Sequence, residues 1–363
     1  MAILQNWLNR LWHRVRMGGR SASLWSLCQR QIGDLRVSCA SQYPQDSEFD
    51  KAWLELLAAH PDGCAFQDPA WQRAVQRFFV GDNLRLLTVH RGQRLLGLLP
   101  LNLAPGGALE SAGAGVSDYL DPLVDPAHAA ACWEAMLALL SERWGRTPSL
   151  ILRNVPAHSL SRKLLPELAP RHGFVVQEAA PQVVLQIDLP ETMEQYFARL
   201  KRDDRTERRR RLRKAENEAQ ARIVDCASSD QLSGCLESVL GLMETAPGEK
   251  GQAVRQYLRP LLVAAGPELC ARGRLSLVTL MLNGNLAGGL IVLPSSHGPM
   301  MYNGGFDQAQ RGWAPGIVGN LMVLREAIGR GQKVFDLLRG QEPYKYDLGA
   351  VERPLYELTL QKQ

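Results

Sequence analysis

Two stretches of this chain read as the same hairpin. Thr88–Leu101 and Leu280–Leu293 coincide at an offset of 192 residues, with Gly92 over Gly284 and Gly97 over Gly289. Each is an apolar strand, a glycine turn and a second apolar strand, and in the second copy Asn283-Gly284-Asn285 supplies the positive φ angles a tight turn needs. Either two unrelated hairpins have glycine turns that align, or the 363 residues hold two copies of one module, each of roughly the 150 residues a core requires.

The flanking patterns favour duplication. The first half reads as a strand over 34–40, helices over 47–60 and 69–80, the hairpin, a helix over 128–144, a strand over 149–155, a helix over 159–172 and a strand within 183–189. The second half opens with a charged helix from 191 to about 220. A strand at 222–226, helices at 230–244 and 253–265, the second hairpin, a helix at 315–330 and strands at 333–338 and 355–361 follow. The expected fold is α/β with mixed sheets (α+β in character), in two modules over 33–189 and 190–363.

Residues 1–20 stand apart. Ile3, Leu4, Trp7, Leu8, Leu11, Trp12 and Val15 recur at helical spacing beside Arg10, Arg14 and Arg16, an amphipathic basic helix. Through residues 3–15 it either meets a membrane interface or a partner, or packs on its own domain. The net charge of +5 is concentrated here and in 201–214, where nine Lys/Arg face Asp203, Asp204 and Glu207, so the remainder is mildly acidic. Most of that second run is expected to be solvated, with pairs to Glu207 and Glu216.

Several chemistries are poorly supported. No G-x-S-x-G, H-E-x-x-H or Walker sequence occurs, and the seven histidines lack ligand spacing, so no metal site is expected. The longest apolar stretches, 275–282 and 286–293, fall well short of the roughly 18 residues of a membrane span. Seven cysteines without a C-x-x-C pair argue against a disulfide framework and for a reducing, cytoplasmic compartment.

The segment from Tyr302 to Ala350 carries the most chemistry. A glycine-containing loop leads into a helix at Pro315, where proline suits the first turn. Unpaired amides around 314–317, with the positive end of the helix dipole, would hold a diphosphate. Asp336 sits between apolar residues in Val334–Leu338, so it should either meet a cation such as Arg339 or Lys345 or act as a base with a raised pKa. Lys345 could supply positive charge to a developing oxyanion, or be a solvated surface residue. Tyr344 and Tyr346 could donate hydrogen bonds there, or simply pack.

Arg311-Gly312-Trp313-Ala314-Pro315-Gly316 resembles the acyl-CoA loop of the GNAT superfamily of N-acetyltransferases, [RQ]-x-x-G-x-[GA], with alanine in the fourth slot. The run 331–350, containing V-F-D-L-L-R-G-x-E-P-Y-K-Y-D-L-G-A, resembles the signature of the subfamily named for CelD/BcsL. Phe66–Trp71, Leu98–Leu101, Ser117–Asp121 and the arginine-rich helix after Leu200 agree with it in order, over about residues 35–360.

The resemblance implies two tandem GNAT modules, with acetyl-CoA or another acyl-CoA as co-substrate held by Arg311, Ala314, Gly316 and Ile317. It implies Lys345, Tyr344 and Asp336 as catalytic candidates. The acceptor would be a carbohydrate, or a lipid- or nucleotide-linked precursor, in cellulose or exopolysaccharide synthesis. It would be handled at the groove between the modules, with Asp118, Tyr119, Arg339 and Glu342 on its side and Asp121 nearby. The same tandem architecture occurs in the Fem peptidoglycan-bridge transferases, whose donor is an aminoacyl-tRNA; in such relatives a lysine in a similar aromatic-Lys motif is associated with catalysis or with binding an acceptor phosphate. A tRNA-dependent transferase and a non-catalytic scaffold of a polysaccharide synthase are therefore the competing readings.

Overall fold

The computed structural model describes residues 28–145, 147–226 and 229–363, so the amphipathic segment 1–20 lies outside the described residues. The chain forms two compact units. One runs up to Val183 and takes back Pro354–Gln363; the other is Val184–Arg353. The expected boundary at 189/190 thus falls six residues earlier, and the closing strand belongs to the first unit.

In the first unit the elements are β1 (Cys28–Ile32), β2 (Leu35–Ala40), α1 (Ser47–Ala59), α2 (Pro69–Val75), β3 (Leu84–Arg91), β4 (Arg94–Leu103), β5 (Leu109–Ser111), β6 (Leu123–Val124), α3 (Ala129–Arg143), β7 (Leu150–Pro156), α4 (Leu160–Leu168) and most of β8 (Phe174–Asp188). The second unit continues with α5 (Met193–Arg199), α6 (Arg202–Ala219), β9 (Arg222–Asp225), α7 (Ser229–Glu244), α8 (Glu249–Ala253), α9 (Arg259–Ala271), β10 (Ser276–Leu282), β11 (Asn285–Pro294), β12 (Pro299–Phe306), α10 (Pro315–Gly329), β13 (Val334–Arg339) and α11 (Pro343–Asp347); β14 (Val351–Lys362) closes the chain.

The first sheet is ordered β1-β2-β3-β4-β5-β7-β14, antiparallel except where β5 runs parallel to β7. Leu358 and Leu360 of β14 are fully buried in its core beside Leu150, Leu152, Trp133 and Met136, and that burial is why the last strand returns to this unit. In the second unit the order is β13-β12-β11-β10-β9, with Val184–Asp188 of β8 against β13. Here β12 and β13 are the parallel pair. Its core joins Leu290, Val318, Leu321, Leu324 and Phe335 to the Leu212, Ala215 and Ala219 stripe of α6.

Both hairpins are present, in registers that correct the offset. Arg91 pairs Arg94 and Leu282 pairs Asn285, so both turns have two residues. Each hairpin then slips by one residue, leaving Leu96 and Ala287 as bulges. Turns and bulges coincide at 191, which sets Gly92 over Asn283, not Gly284. Asn283 (φ 48°) and Gly284 (φ 79°) both take the left-handed conformation of a two-residue hairpin turn. Positive φ is what the two copies share, and asparagine meets that need as glycine does.

Two further expectations are revised. The helix expected over 191–220 breaks into α5 and α6, because Leu200 and Lys201 are extended (ψ 150° and 149°) and Leu200 turns into the core. Cys226, just after β9, is disulfide-bonded to Cys235 on α7, against the expectation of no disulfides; a nine-residue spacing gives no motif, and the start of α7 brings the two together. Among the described residues no helix is long and apolar enough to cross a membrane, and no group of three or more His, Cys, Asp or Glu side chains could hold a metal.

Candidate functional site

In the second unit β12 and β13 pair only at Met300 and Asp336 and then part, so two parallel strands diverge toward their C-terminal ends. On its other side β12 slips against β11 between Ile291 and Val292, leaving Tyr302 as an extra residue. Bulges of this kind re-aim a strand's peptide groups and are common beside active sites.

The Gly304-Gly305 pair explains what packs on β12. A Cβ on Gly305 would stand 2.5 Å from the Met243 backbone nitrogen, and one on Gly251 would stand 2.4 Å from the Glu244 carbonyl oxygen. Glycine therefore lets the end of α7 lie directly on the strand and the start of α8 fold back against the end of α7. That approach carries Lys250 to the site, its Nζ 3.5 Å from the Gly304 carbonyl oxygen. Burial pushes the Lys250 amine below its ordinary value, with Glu342 opposing that shift and Lys345 adding to it. The sequence reading missed Lys250; its only signal was a lysine between two glycines at a helix start.

At the end of β13, Asp336 holds the backbone. Its carboxylate accepts the Leu338 N–H at 2.8 Å and the Gln186 side-chain amide at 2.9 Å, and Leu338 takes φ 58° where the pairing with β8 shifts. Lys345 is 4% exposed, not a solvated surface residue. Its ammonium donates to the Arg339 carbonyl at 2.7 Å and the Gly340 carbonyl at 3.1 Å, and it pairs with Glu342 at 3.0 Å. Three donors with three acceptors make it a lock on the 339–345 turn. Burial raises the Glu342 carboxyl, but Lys345 outweighs it and the net shift is downward. Tyr344 is exposed with its phenol pushed up, first by desolvation and then by Glu342, and Tyr346 donates to Glu352 at 2.6 Å. The second unit thus brings Arg339, Glu342, Tyr344 and Lys345 into the turn that follows Asp336 on β13.

The loop before α10 is a short 3₁₀ turn over Gln308–Trp313, begun by the Asp307 carboxylate accepting the Ala309 N–H at 3.0 Å. Ala314 has φ 51° and ψ 54°, the left-handed conformation that explains the glycine in the fourth slot of the motif. Two of the amides expected to be unpaired, those of Ala314 and Ile317, are internal, as is that of Val318. Ala314 donates to the Arg311 carbonyl, and Ile317 and Val318 both turn to the Ala314 carbonyl. Pro315 has no N–H, so among the described residues Gly316 supplies the first-turn amide without a protein acceptor. Asn320, one turn on, donates to the Gly316 carbonyl at 2.7 Å and leaves its own buried Oδ1 without a partner. Arg311 is exposed.

The basic run of α6 divides by face. Arg208 is buried and meets Asp347, just after Lys345, at 3.0 Å. Arg210 and Arg211 pair with Glu207, whose carboxyl their hydrogen bonds lower to about 2. Lys214 lies 4.9 Å from the ring centre of Trp313, tying α6 to the loop. Glu216 meets Arg325 of α10 rather than the basic run.

Asp118 and Tyr119 belong to the first unit, where two motif segments meet. The Trp71 indole donates to the Ser117 hydroxyl at 2.8 Å, Gln67 donates to the Asp121 carbonyl at 2.8 Å, and the Phe66 and Tyr119 rings are 6.4 Å apart. Asp68 caps α2 ahead of Pro69, which accounts for Asp-Pro in the motif. Burial raises the Asp121 carboxyl to about 6 against the hydroxyls of Ser159 and Ser161 and the charge of His158.

Residues 202–346, which include Lys250, the loop before α10 and Lys345, match the family described as Acetyltransferase (GNAT) domain. Among solved structures the chain resembles FemX at 11% identity (TM-score 0.55, covering 85% of this chain and 95% of that one). It also resembles a conserved protein of unknown function from Bacteroides thetaiotaomicron VPI-5482, at 12% identity and TM-score 0.54, covering 93% and 100%. A third likeness is to the C-terminal domain of a protein from Agrobacterium fabrum described as a lysylphosphatidylglycerol synthetase, at 8% identity and TM-score 0.54, covering 85% and 90%. At these identities the likeness is one of fold. No curated protein sequence matches the chain. Residues 202–346 of the second unit thus match a GNAT acetyltransferase domain, and the first unit repeats its order of elements.

Proposed function

We propose that the chain transfers an acyl group from an acyl-CoA, acetyl-CoA in the simplest case, to a carbohydrate or to its lipid- or nucleotide-linked precursor. The observation that carries the donor is the divergence of β12 and β13 beside the N-terminus of α10. An acyl-CoA supplies an activated acyl group as a thioester. The residues present fit it: the Gly316 N–H and the helix dipole favour a phosphate, Ala314 keeps the loop in the required left-handed turn, and Arg311 is exposed in the same loop. The peptide groups of β12 at the Tyr302 bulge are the proposed donors that orient the acyl group and meet charge developing on its carbonyl. Lys345 holds the 339–345 turn, and Tyr344, Arg339 and Glu342 are the proposed acceptor-side groups of this unit.

The carbohydrate acceptor rests on the CelD/BcsL resemblance, whose Phe66–Trp71 and Ser117–Asp121 motifs are in contact, and Asp118 and Tyr119 are its proposed partners in the first unit. Residues 3–15 are the proposed contact with a membrane or a synthase. The testing experiment is a thermal-shift titration with acetyl-CoA, where about 100 times the dissociation constant stabilises by about 2.7 kcal/mol. No shift up to millimolar acyl-CoA would remove the donor reading.

An aminoacyl-tRNA donor is the second reading, favoured by the cations of α6 that face away from Asp347, Glu207 and Trp313. It requires binding of tRNA that weakens steeply with salt.

A further inference from the structure

Two lysines stand at the corner where β12 and β13 part, and they are held in opposite ways. Lys345 has all three ammonium donors filled. Lys250 is half-buried with a single long contact, 3.5 Å to the Gly304 carbonyl. A lysine this deep is costly as a cation unless paired, and the structure gives it no close carboxylate partner among the described residues. It reaches over the glycine pair of the bulged strand toward Glu342 and Lys345, the charged groups that act on it. Its backbone cannot shift away, since Gly251 is pinned against the Glu244 and Ala246 carbonyls.

Resting on the acyl-CoA reading above, we infer that Lys250 is the proton acceptor of the transfer, standing beside the Gly304 carbonyl where the two strands diverge and touching the nucleophile of the acceptor. The acceptor's oxygen or nitrogen bonds to the acyl carbon as the carbon–sulfur bond breaks. The proton passes from that oxygen or nitrogen to Lys250 Nζ and then to the departing thiolate, so no further reactant is needed. Burial, the larger cause, keeps the amine neutral at lower pH than a solvated lysine, which is the state a base needs. Glu342 opposes that shift, and Lys345, a neighbouring cation, supports it.

The test uses the full chain reductively methylated with ¹³C-formaldehyde, so that each lysine titrates by NMR, with Lys250→Arg assigning the resonance. Lys250 should titrate at lower pH than a fully solvated lysine, and its resonance should move when CoA is added. Titration in the range of a fully solvated lysine would overturn the inference. So would a resonance unmoved by CoA while thermal shift reports CoA bound; absence of any thermal shift would instead sink the donor reading. With hydroxylamine as probe acceptor, Lys250→Arg and Lys250→Gln should release thiol from acetyl-CoA about 10²–10⁴-fold more slowly with the CoA-induced thermal shift intact. A Lys250→Arg protein that keeps its rate and pH profile would refute the assignment.

Discussion

Lys345 and Glu342 face each other at 3.0 Å, three residues apart, and the same ammonium also closes on the carbonyls of Arg339 and Gly340. The pair fixes the turn that follows β13, so the strand's end is held from outside the sheet. Lys345→Met should therefore lower stability by about 2–3 kcal/mol, discounted from a fully buried pair because Glu342 keeps access to solvent. Urea denaturation measures this, and a loss under about 0.5 kcal/mol would return Lys345 to the surface class. Because Glu342 is lowered in the folded state, its contribution is complete above the ordinary glutamate range and fades as pH falls through its lowered value. The Lys345→Met protein should lack that acid limb.

The left-handed Ala314 predicts a stabilising substitution. Ala314→Gly relieves the conformational penalty of a Cβ at φ 51° and costs some backbone entropy, for a net gain of about 0.5–1 kcal/mol in thermal unfolding. Gly316→Ala should fold normally, since its Cβ would meet Phe306 at an ordinary 3.7 Å. Gly316→Asp should fold too but lose the thermal shift with acetyl-CoA, because a carboxylate then occupies the place of a phosphate. A retained shift would take the loop out of the donor site.

Two glycines in this region should behave oppositely. Gly305→Ala brings a methyl to 2.5 Å from a backbone nitrogen of α7 and should cost about 1–3 kcal/mol. Gly312→Ala meets nothing within 4 Å and should stay within about 0.5 kcal/mol of the parent by the same denaturation assay.

Asp121 gives a pH prediction of the other sign. Its carboxyl is raised to about 6, so between about pH 4 and 6 the folded chain binds a proton the unfolded chain has released. Stability contributed by this site falls as pH rises through that window. Asp121→Asn should flatten the profile there and raise stability at pH 7 by about 2 kcal/mol; an unchanged profile would locate the titration elsewhere.

The arginines of α6 should separate by face. Arg208→Ala should destabilise by about 1–2 kcal/mol, reduced because Asp347 remains well exposed, whereas Arg213→Ala should be neutral to stability. If the donor is an aminoacyl-tRNA, Arg213→Ala should weaken tRNA binding by filter assay and reduce its salt dependence.

What the sequence determined by itself is local. Hairpin turns announce themselves because only a few residues tolerate positive φ, and the starts of α2 and α10 are written in Asp68-Pro69 and Pro315 because the first turn's missing acceptors are answered within a few residues. The duplication and the loop before α10 were legible on that basis. Tertiary structure decided what depends on partners distant along the chain. The return of β14 to the first core, the filling of Lys345's three donors and the use of Asp336 to hold Leu338 and Gln186 follow from which groups must be buried together. Lys250 is the sharpest case. Its spacing carries no message, and its place beside Gly304 arises because Gly304 and Gly305, 54 and 55 residues further on, let a helix lie flat on a sheet.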